Sequence, residues 1–339
     1  MIIEEDPADE GGIDTTVFLE EDDLLYPGDS ADELAGEKLT DEHYHTVIDR
    51  SWGNVRVFKP NGDLLAVFLA GEIEEEVCVE AYKALRAAAQ ETGSGNRGMA
   101  TGKNSRRRRV LEDGTVSKTN EVPQEIRPHT GIVGYFDRYP RIPYCRQTAY
   151  NINHPDRWES AVPFFQRADE LFEQFVPDRY ANQREVADRT VDDWLIPATA
   201  FTTVTVNLNW QTACHQDAGD LKEGFGVMPV IDMGHYEGAY FIQPKFGMAY
   251  DCRTTDLLLN DVHEWHGNGP FTGSSGYYER LSCVLYYRRK MEECDSPEEE
   301  LERAKRIGDE RALAGSSDTY AADEDALEQV TTTNPDEVE

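Results

Sequence analysis

At 339 residues, with 39% hydrophobic and 10% aromatic side chains, the chain can bury one large core or two smaller ones, and length alone does not choose. No apolar run approaches the roughly twenty residues of a membrane span. The N-terminal "MIIEEDPADEGG" has neither the basic nor the apolar region of a secretory signal, so the expectation is an intracellular protein with no membrane partner, cytoplasmic or, in a eukaryote, nuclear. The formal charge of −33 excludes less than its size suggests, because residues 1–43 hold sixteen acids against one lysine and residues 292–339 hold seventeen against four bases, leaving the middle nearly balanced.

The first 43 residues are acidic and lack sustained periodicity, which predicts disorder. A single folded domain is expected over 44–291. It opens with two alternating apolar runs around Asn61-Gly62, the dipeptide of a tight hairpin. Val77, Ala81, Leu85 and Ala88 then recur at helical spacing between Glu74 and about Thr92, and Gly93 ends that helix. A Gly/Ser/Arg-rich loop to about Thr119 contains the basic run "NSRRRRV", Asn104–Val110. A second amphipathic helix fits Glu159–Phe175. From about residue 196 the pattern changes to short β-branched stretches, "ATAFTTVTVNLNW", "YEGAYFIQPKFGMAYDCRTTDLLLN" and "RLSCVLYYRRK", which suggest a sandwich or barrel, the double-sheet jelly roll among them, with its core over about 196–291. In the acidic tail, 292–339, Ser296-Pro297-Glu298-Glu299 reads as a capping box opening a short helix to about Ala314, with loose sequence after it. The six scattered cysteines suggest reduced thiols rather than a disulfide framework.

The chemistry centres on "NLNWQTACHQDAGD". His215 and Asp217 stand two apart at the end of a strand, so both side chains can address one atom. Two histidines and a carboxylate form the facial triad that holds Fe(II) with three positions open. The second histidine should follow a later strand, and "DLLLNDVHEWHGNGP" offers His263 and His266. Arg280 and Ser282 share a face of the next strand, where arginine can grip a carboxylate with two parallel bonds and serine adds a donor. Each piece has a bland reading: HxD as a capped turn, a lone histidine as a hydrogen-bonded core residue, Arg280 as a salt-bridged strand residue. Their order within about seventy residues favours an oxygenase that consumes 2-oxoglutarate and O2.

These residues carry a resemblance. "NRGMATG" (Asn96–Gly102), "GIVGYFDRYPRIPYCRQTAYN" (Gly131–Asn151), "TVNLNWQTACHQDAGDLKEGFG" (Thr205–Gly226), "DLLLNDVHEWHGN" (Asp256–Asn268) and "ERLSCVLYYRRKM" (Glu279–Met291) resemble the TET/J-binding-protein family of Fe(II)- and 2-oxoglutarate-dependent nucleic-acid dioxygenases, in its microbial or viral branch. The resemblance implies an α+β fold with a double-stranded β-helix core and flanking N-terminal helices. It implies His215, Asp217 and the HGN histidine as iron ligands and Arg280, with Ser282, as the 2-oxoglutarate anchor. His266 is preferred over His263 because it opens an "HGNGP" turn of the kind related oxygenases use.

The implied reaction is hydroxylation of the 5-methyl group of a pyrimidine in DNA. A base inside a duplex has to be extruded to react, so aromatic and arginine side chains that stack and bind phosphate are sought. Tyr135, Asp137, Arg138, Tyr144 and Arg146 are the candidates, against a reading of them as core under a loop, and the Arg106–Arg109 run is a phosphate-binding candidate. The favoured substrate is 5-methylcytosine, with Asp137 accepting from the exocyclic amine, and thymine is next. The alternatives are a 2-oxoglutarate oxygenase of a protein or small molecule, and a modified-DNA reader without turnover.

Overall fold

Alternation along the strands decides the architecture. In Thr203–Leu208, Val204, Val206 and Leu208 pack with helix residues such as Phe165 and Phe172, so by the two-residue period Thr203, Thr205 and Asn207 face the other side. Leu257 and Leu259 likewise join the helix-facing cluster, whereas Leu258 joins Met228, Val230, Phe241 and Tyr250 in a second cluster between two sheets. The computed structural model describes residues 1–5, 12–91, 100, 102, 107–110, 116–121, 128–139, 142–217 and 219–313.

The larger, eleven-stranded sheet runs in the order 2–5, 15–18, 55–58, 64–69, 257–260, 226–238, 271–286, 203–208, 129–136 and 146–147, with 90–91 also on 129–136. The smaller sheet has 267–268, 241–243, 248–250 and 46–48 in that order. Together they form the expected double-stranded β-helix within an α+β fold. Helices Glu75–Leu85 and Pro155–Phe175 cover the outer face of the larger sheet, where Phe164, Phe165, Leu171 and Phe172 are at most 1% exposed. Each such side chain contributes about 1.5–3 kcal/mol by leaving water. The second helix ends at Phe175 because Pro177 follows, and Pro177 itself opens a further helix to Ala187 that has almost no apolar periodicity to announce it. The hairpin at Asn61-Gly62 joins Val55–Phe58 to Leu64–Leu69 as expected.

Three expectations are corrected. First, residues 12–43 are built into the fold. Ile13, Thr15, Val17 and Leu19 are buried at period two, and Thr15–Phe18 pairs in parallel with Val55–Phe58. The acids that suggested disorder, among them Glu21, Asp22, Glu33 and Glu37, are exposed while the apolar alternation is hidden. Second, Cys145 and Cys294 are joined in a disulfide across 149 residues, whereas Cys78, Cys214, Cys252 and Cys283 are buried thiols outside it. Third, the C-terminal helix Pro297–Leu313 belongs to the core rather than to a dispensable tail. Its capping box forms as expected, Ser296 and Glu299 bonding reciprocally, but Glu300 is 1% exposed and accepts from Arg138 and from the amides of Cys145 and Asp295.

Of the basic run, Arg107–Val110 forms a two-stranded ribbon with Val116–Glu121, and Arg106 lies outside the described residues, as do most of Asn96–Gly102 and everything beyond Leu313. Among the described residues no helix is long and apolar enough to cross a membrane.

Candidate metal and co-substrate site

Beyond Leu208 the chain leaves the larger sheet and crosses to the smaller one. His215 and His266 meet there as an antiparallel bridge, each main-chain N–H donating to the other's carbonyl at 2.8 and 2.9 Å. Asp217 is fixed by its own N–H, which donates to Val262 O at 3.0 Å. Gly267 permits this approach: a Cβ there would stand 3.1 Å from the Ala213 carbonyl and from Leu39, tight enough that a neighbour would have to yield.

The three side chains converge. One Asp217 carboxylate oxygen lies 3.6 Å from His215 Nε2, the other 3.5 Å from His266 Nε2, and all three donor atoms fall within 4.8 Å of one another. Each imidazole is oriented through its other nitrogen. His215 Nδ1 lies 2.8 Å from Ala213 O and His266 Nδ1 lies 2.9 Å from Glu264 O, so Nδ1 carries the proton and Nε2 turns its lone pair to the centre. The His266 ring is buried and stacks on Phe241 at 5.2 Å. Burial lowers its basicity, but Asp217 outweighs burial and leaves the pKa raised. His263 instead faces Asp261, at 3.5 Å, and stands outside the cluster.

Arg280 and Ser282, 4% and 5% exposed, lie on the inner face of Phe271–Tyr286. Arg280 Nε and Nη2 are buried without a hydrogen-bond partner, a costly state that an incoming carboxylate would relieve. The strand is held at this point by Asn209, in a left-handed conformation (φ 48°) that asparagine tolerates. Its main-chain N–H donates to Arg280 O and its side-chain oxygen accepts from Arg280 N. Asn209 escaped the sequence reading, although a polar residue at a strand end is the available signal. Two nitrogen donors and one carboxylate suit a divalent iron, and a buried guanidinium with two unbonded nitrogens suits a carboxylate.

The expected DNA contacts are placed otherwise. Tyr135 is core, edge-on to Trp158 and Trp194 at 6.2 and 5.8 Å. Asp137 is 6% exposed and accepts from Arg288 Nε at 2.8 Å. Arg138 pairs with Asp295 and Glu300, and Tyr144 packs beside Ala304 and Ile307 of the C-terminal helix. Arg146 is buried with its guanidinium over Phe136 and Tyr139 at 4.5 and 5.6 Å, and burial pushes its pKa down to about 10. The aromatic and arginine block is therefore packing and helix attachment, not an exposed DNA surface.

Residues 131–289 match the Tet_JBP family model, described as the oxygenase domain of the 2OGFeDO superfamily, whose members use Fe(II), 2-oxoglutarate and O2. The chain is 33% identical over 195 residues to a protein of Trypanosoma brucei brucei named thymine dioxygenase JBP1, covering 56% of this chain and 22% of that one. It is 32% identical over 279 residues to a protein of Trypanosoma cruzi named bifunctional helicase and thymine dioxygenase JBP2, covering 78% of this chain and 23% of that one. The chain thus spans about a fifth of the length of these relatives. A solved structure of NgTET1 in complex with 5mC DNA superposes with a TM-score of 0.49 at 10% identity, over 77% of this chain and 90% of that one. Residues 131–289, which hold the His–Asp–His cluster and Arg280, belong to the Tet_JBP family of oxygenase domains.

Proposed function

We propose that the chain is an Fe(II)- and 2-oxoglutarate-dependent dioxygenase that hydroxylates the 5-methyl group of a pyrimidine in DNA, with thymine the first substrate to test. The observation that carries the reading is the cluster of His215, Asp217 and His266, together with a buried Arg280 whose Nε and Nη2 have no hydrogen-bond partner. His215 and His266 would hold the metal through Nε2 and Asp217 through its carboxylate, occupying one face and leaving the rest for co-substrate and O2. When bound, the metal and 2-oxoglutarate supply the oxidative step, in which O2 gives one oxygen atom to the methyl C–H bond and one to the succinate that forms with CO2. Arg280 would clamp the distal carboxylate and Ser282 would donate its hydroxyl, fixing the co-substrate.

DNA as substrate rests on the names of the relatives, and so does the choice of thymine. The reading of Asp137 as a partner for the amine of 5-methylcytosine loses its support, because that carboxylate is buried against Arg288. Protein or small-molecule hydroxylation has no comparable support here.

Purified protein incubated with Fe(II), 2-oxoglutarate and ascorbate, and with thymine-only or 5-methylcytosine-containing DNA, followed by nucleoside mass spectrometry, tests the proposal. Hydroxymethyluracil from both substrates is expected. Hydroxymethylcytosine alone would move the assignment to 5-methylcytosine, and no hydroxymethyl product would contradict the DNA reading.

A further inference from the structure

The two histidine-bearing segments are gripped from outside the barrel by the N-terminal part of the chain. Gly36 N–H donates to Cys214 O at 2.7 Å and Cys214 N–H donates to Glu37 O at 2.8 Å, so residues 36–37 pair with the residue before His215. Asp32 accepts from the indole N–H of Trp265, the residue before His266, at 2.6 Å. Leu39, fully buried, packs with Cys214, Ile242 and Ala249 as a separate cluster on the smaller sheet. From the hairpin side, Lys59 reaches Asp261 at 2.8 Å and Glu264 at 2.6 Å, with the lysine side chain 10% exposed and those of its partners 13% and 20%. Glu264 is the residue whose carbonyl orients His266 Nδ1.

All four strands of the smaller sheet have only two or three residues in register, so contacts from outside it add to the few hydrogen bonds that set the ligand positions. Groups that orient a ligand commonly matter for metal affinity about as much as ten- to hundred-fold. We propose that this N-terminal strap positions the metal centre, with Lys59 acting through Glu264 on His266 and Asp32 acting through Trp265 on the same segment. The inference rests on the metal-site reading above and adds to it residues that touch neither metal nor substrate. Lys59 is well placed for such a role because it bridges both ends of the turn 261–264, whose Glu264 N–H donates to Asp261 O at 3.2 Å. Removing its charge leaves two carboxylates facing each other at the base of the ligand loop.

The metal-free full chain is titrated with Co(II), read by visible absorption, for the parent, Lys59→Met, Lys59→Arg, Trp265→Phe and Arg50→Met. Arg50 pairs with buried Asp256, so its loss perturbs an ion pair of the same segment with no link to either histidine. Lys59→Met should weaken Co(II) binding about ten-fold and shift the cobalt spectrum, Lys59→Arg should restore both, and Arg50→Met should stay within about two-fold of the parent. Trp265→Phe keeps an aromatic side chain and loses the bond to Asp32, and should weaken binding in the same direction even where Lys59→Met fails to fold. Co(II) affinity unchanged in both Lys59→Met and Trp265→Phe, or equally reduced in Arg50→Met, would overturn the proposal. A parent that binds no Co(II), or binds it undiminished after His266→Ala, would instead overturn the metal-site reading beneath it.

Discussion

At the scale of single residues, the co-substrate reading depends on one buried cation. It is Arg280, two of whose guanidinium nitrogens are buried without a hydrogen-bond partner. A planar fork can bind a carboxylate at two points, which a lysine ammonium cannot reproduce. Arg280→Lys is therefore expected to raise the apparent KM for 2-oxoglutarate by about ten-fold or more, corresponding to at least about 1.4 kcal/mol. Steady-state succinate release against 2-oxoglutarate concentration checks it, and an unchanged KM would remove Arg280 from that role. His215, Asp217, Arg280 and Ser282 were legible because HxD at a strand end and RxS within a strand are local patterns. Which later histidine joins was less legible from spacing, since His263 and His266 follow the same strand. The structure separates them by direction: His263 faces Asp261, and His266 faces Asp217.

At the scale of elements, local periodicity located the helices and strands, whereas the attachments between distant segments had no local signal. The C-terminal helix was announced by its capping box, yet nothing near Glu300 indicates that it will be buried under Arg138 and the amides of Cys145 and Asp295. The block Tyr135–Arg146 failed for the same reason, because aromatic and arginine side chains look alike whether they meet DNA or a helix. Glu300→Ala should cost about 2–3 kcal/mol, because the amides of Cys145 and Asp295 lose their acceptor while Arg138 keeps Asp295. Urea denaturation of parent and variant measures this, and a loss under about 1 kcal/mol would show the helix to be loosely held. A pH effect belongs to the helix Pro155–Phe175. Burial pushes the Asp169 carboxyl up to about 6, although Ala200 N–H and the Tyr180 hydroxyl donate to it. Because the unfolded carboxyl titrates near 4, the folded state takes up a proton between about pH 4 and 6, and this group's stability contribution falls as pH rises through that window. Relative to Asp169→Asn, the parent should lose on the order of 2 kcal/mol between pH 4.5 and 7, and parallel curves would contradict the assignment.

At the scale of the whole molecule, the acidic composition misdirected the reading of the N-terminal segment. A charge count averages over faces, and here the acids of residues 12–43 sit mostly at exposed positions around a buried row of Ile13, Thr15, Val17 and Leu19. The same alternation that identified the barrel strands was present, but only four residues long. The central claim is that the assembled His–Asp–His cluster holds Fe(II) and lets 2-oxoglutarate chelate it. Its most direct measurement is an anaerobic absorption titration: Fe(II) is added to the metal-free chain, then 2-oxoglutarate, and the visible charge-transfer band of the chelate is followed. The band is expected in the parent and in His263→Ala, and should be lost in His266→Ala. A band that survives His266→Ala and disappears in His263→Ala would contradict the cluster, and no band in the parent would contradict the site altogether.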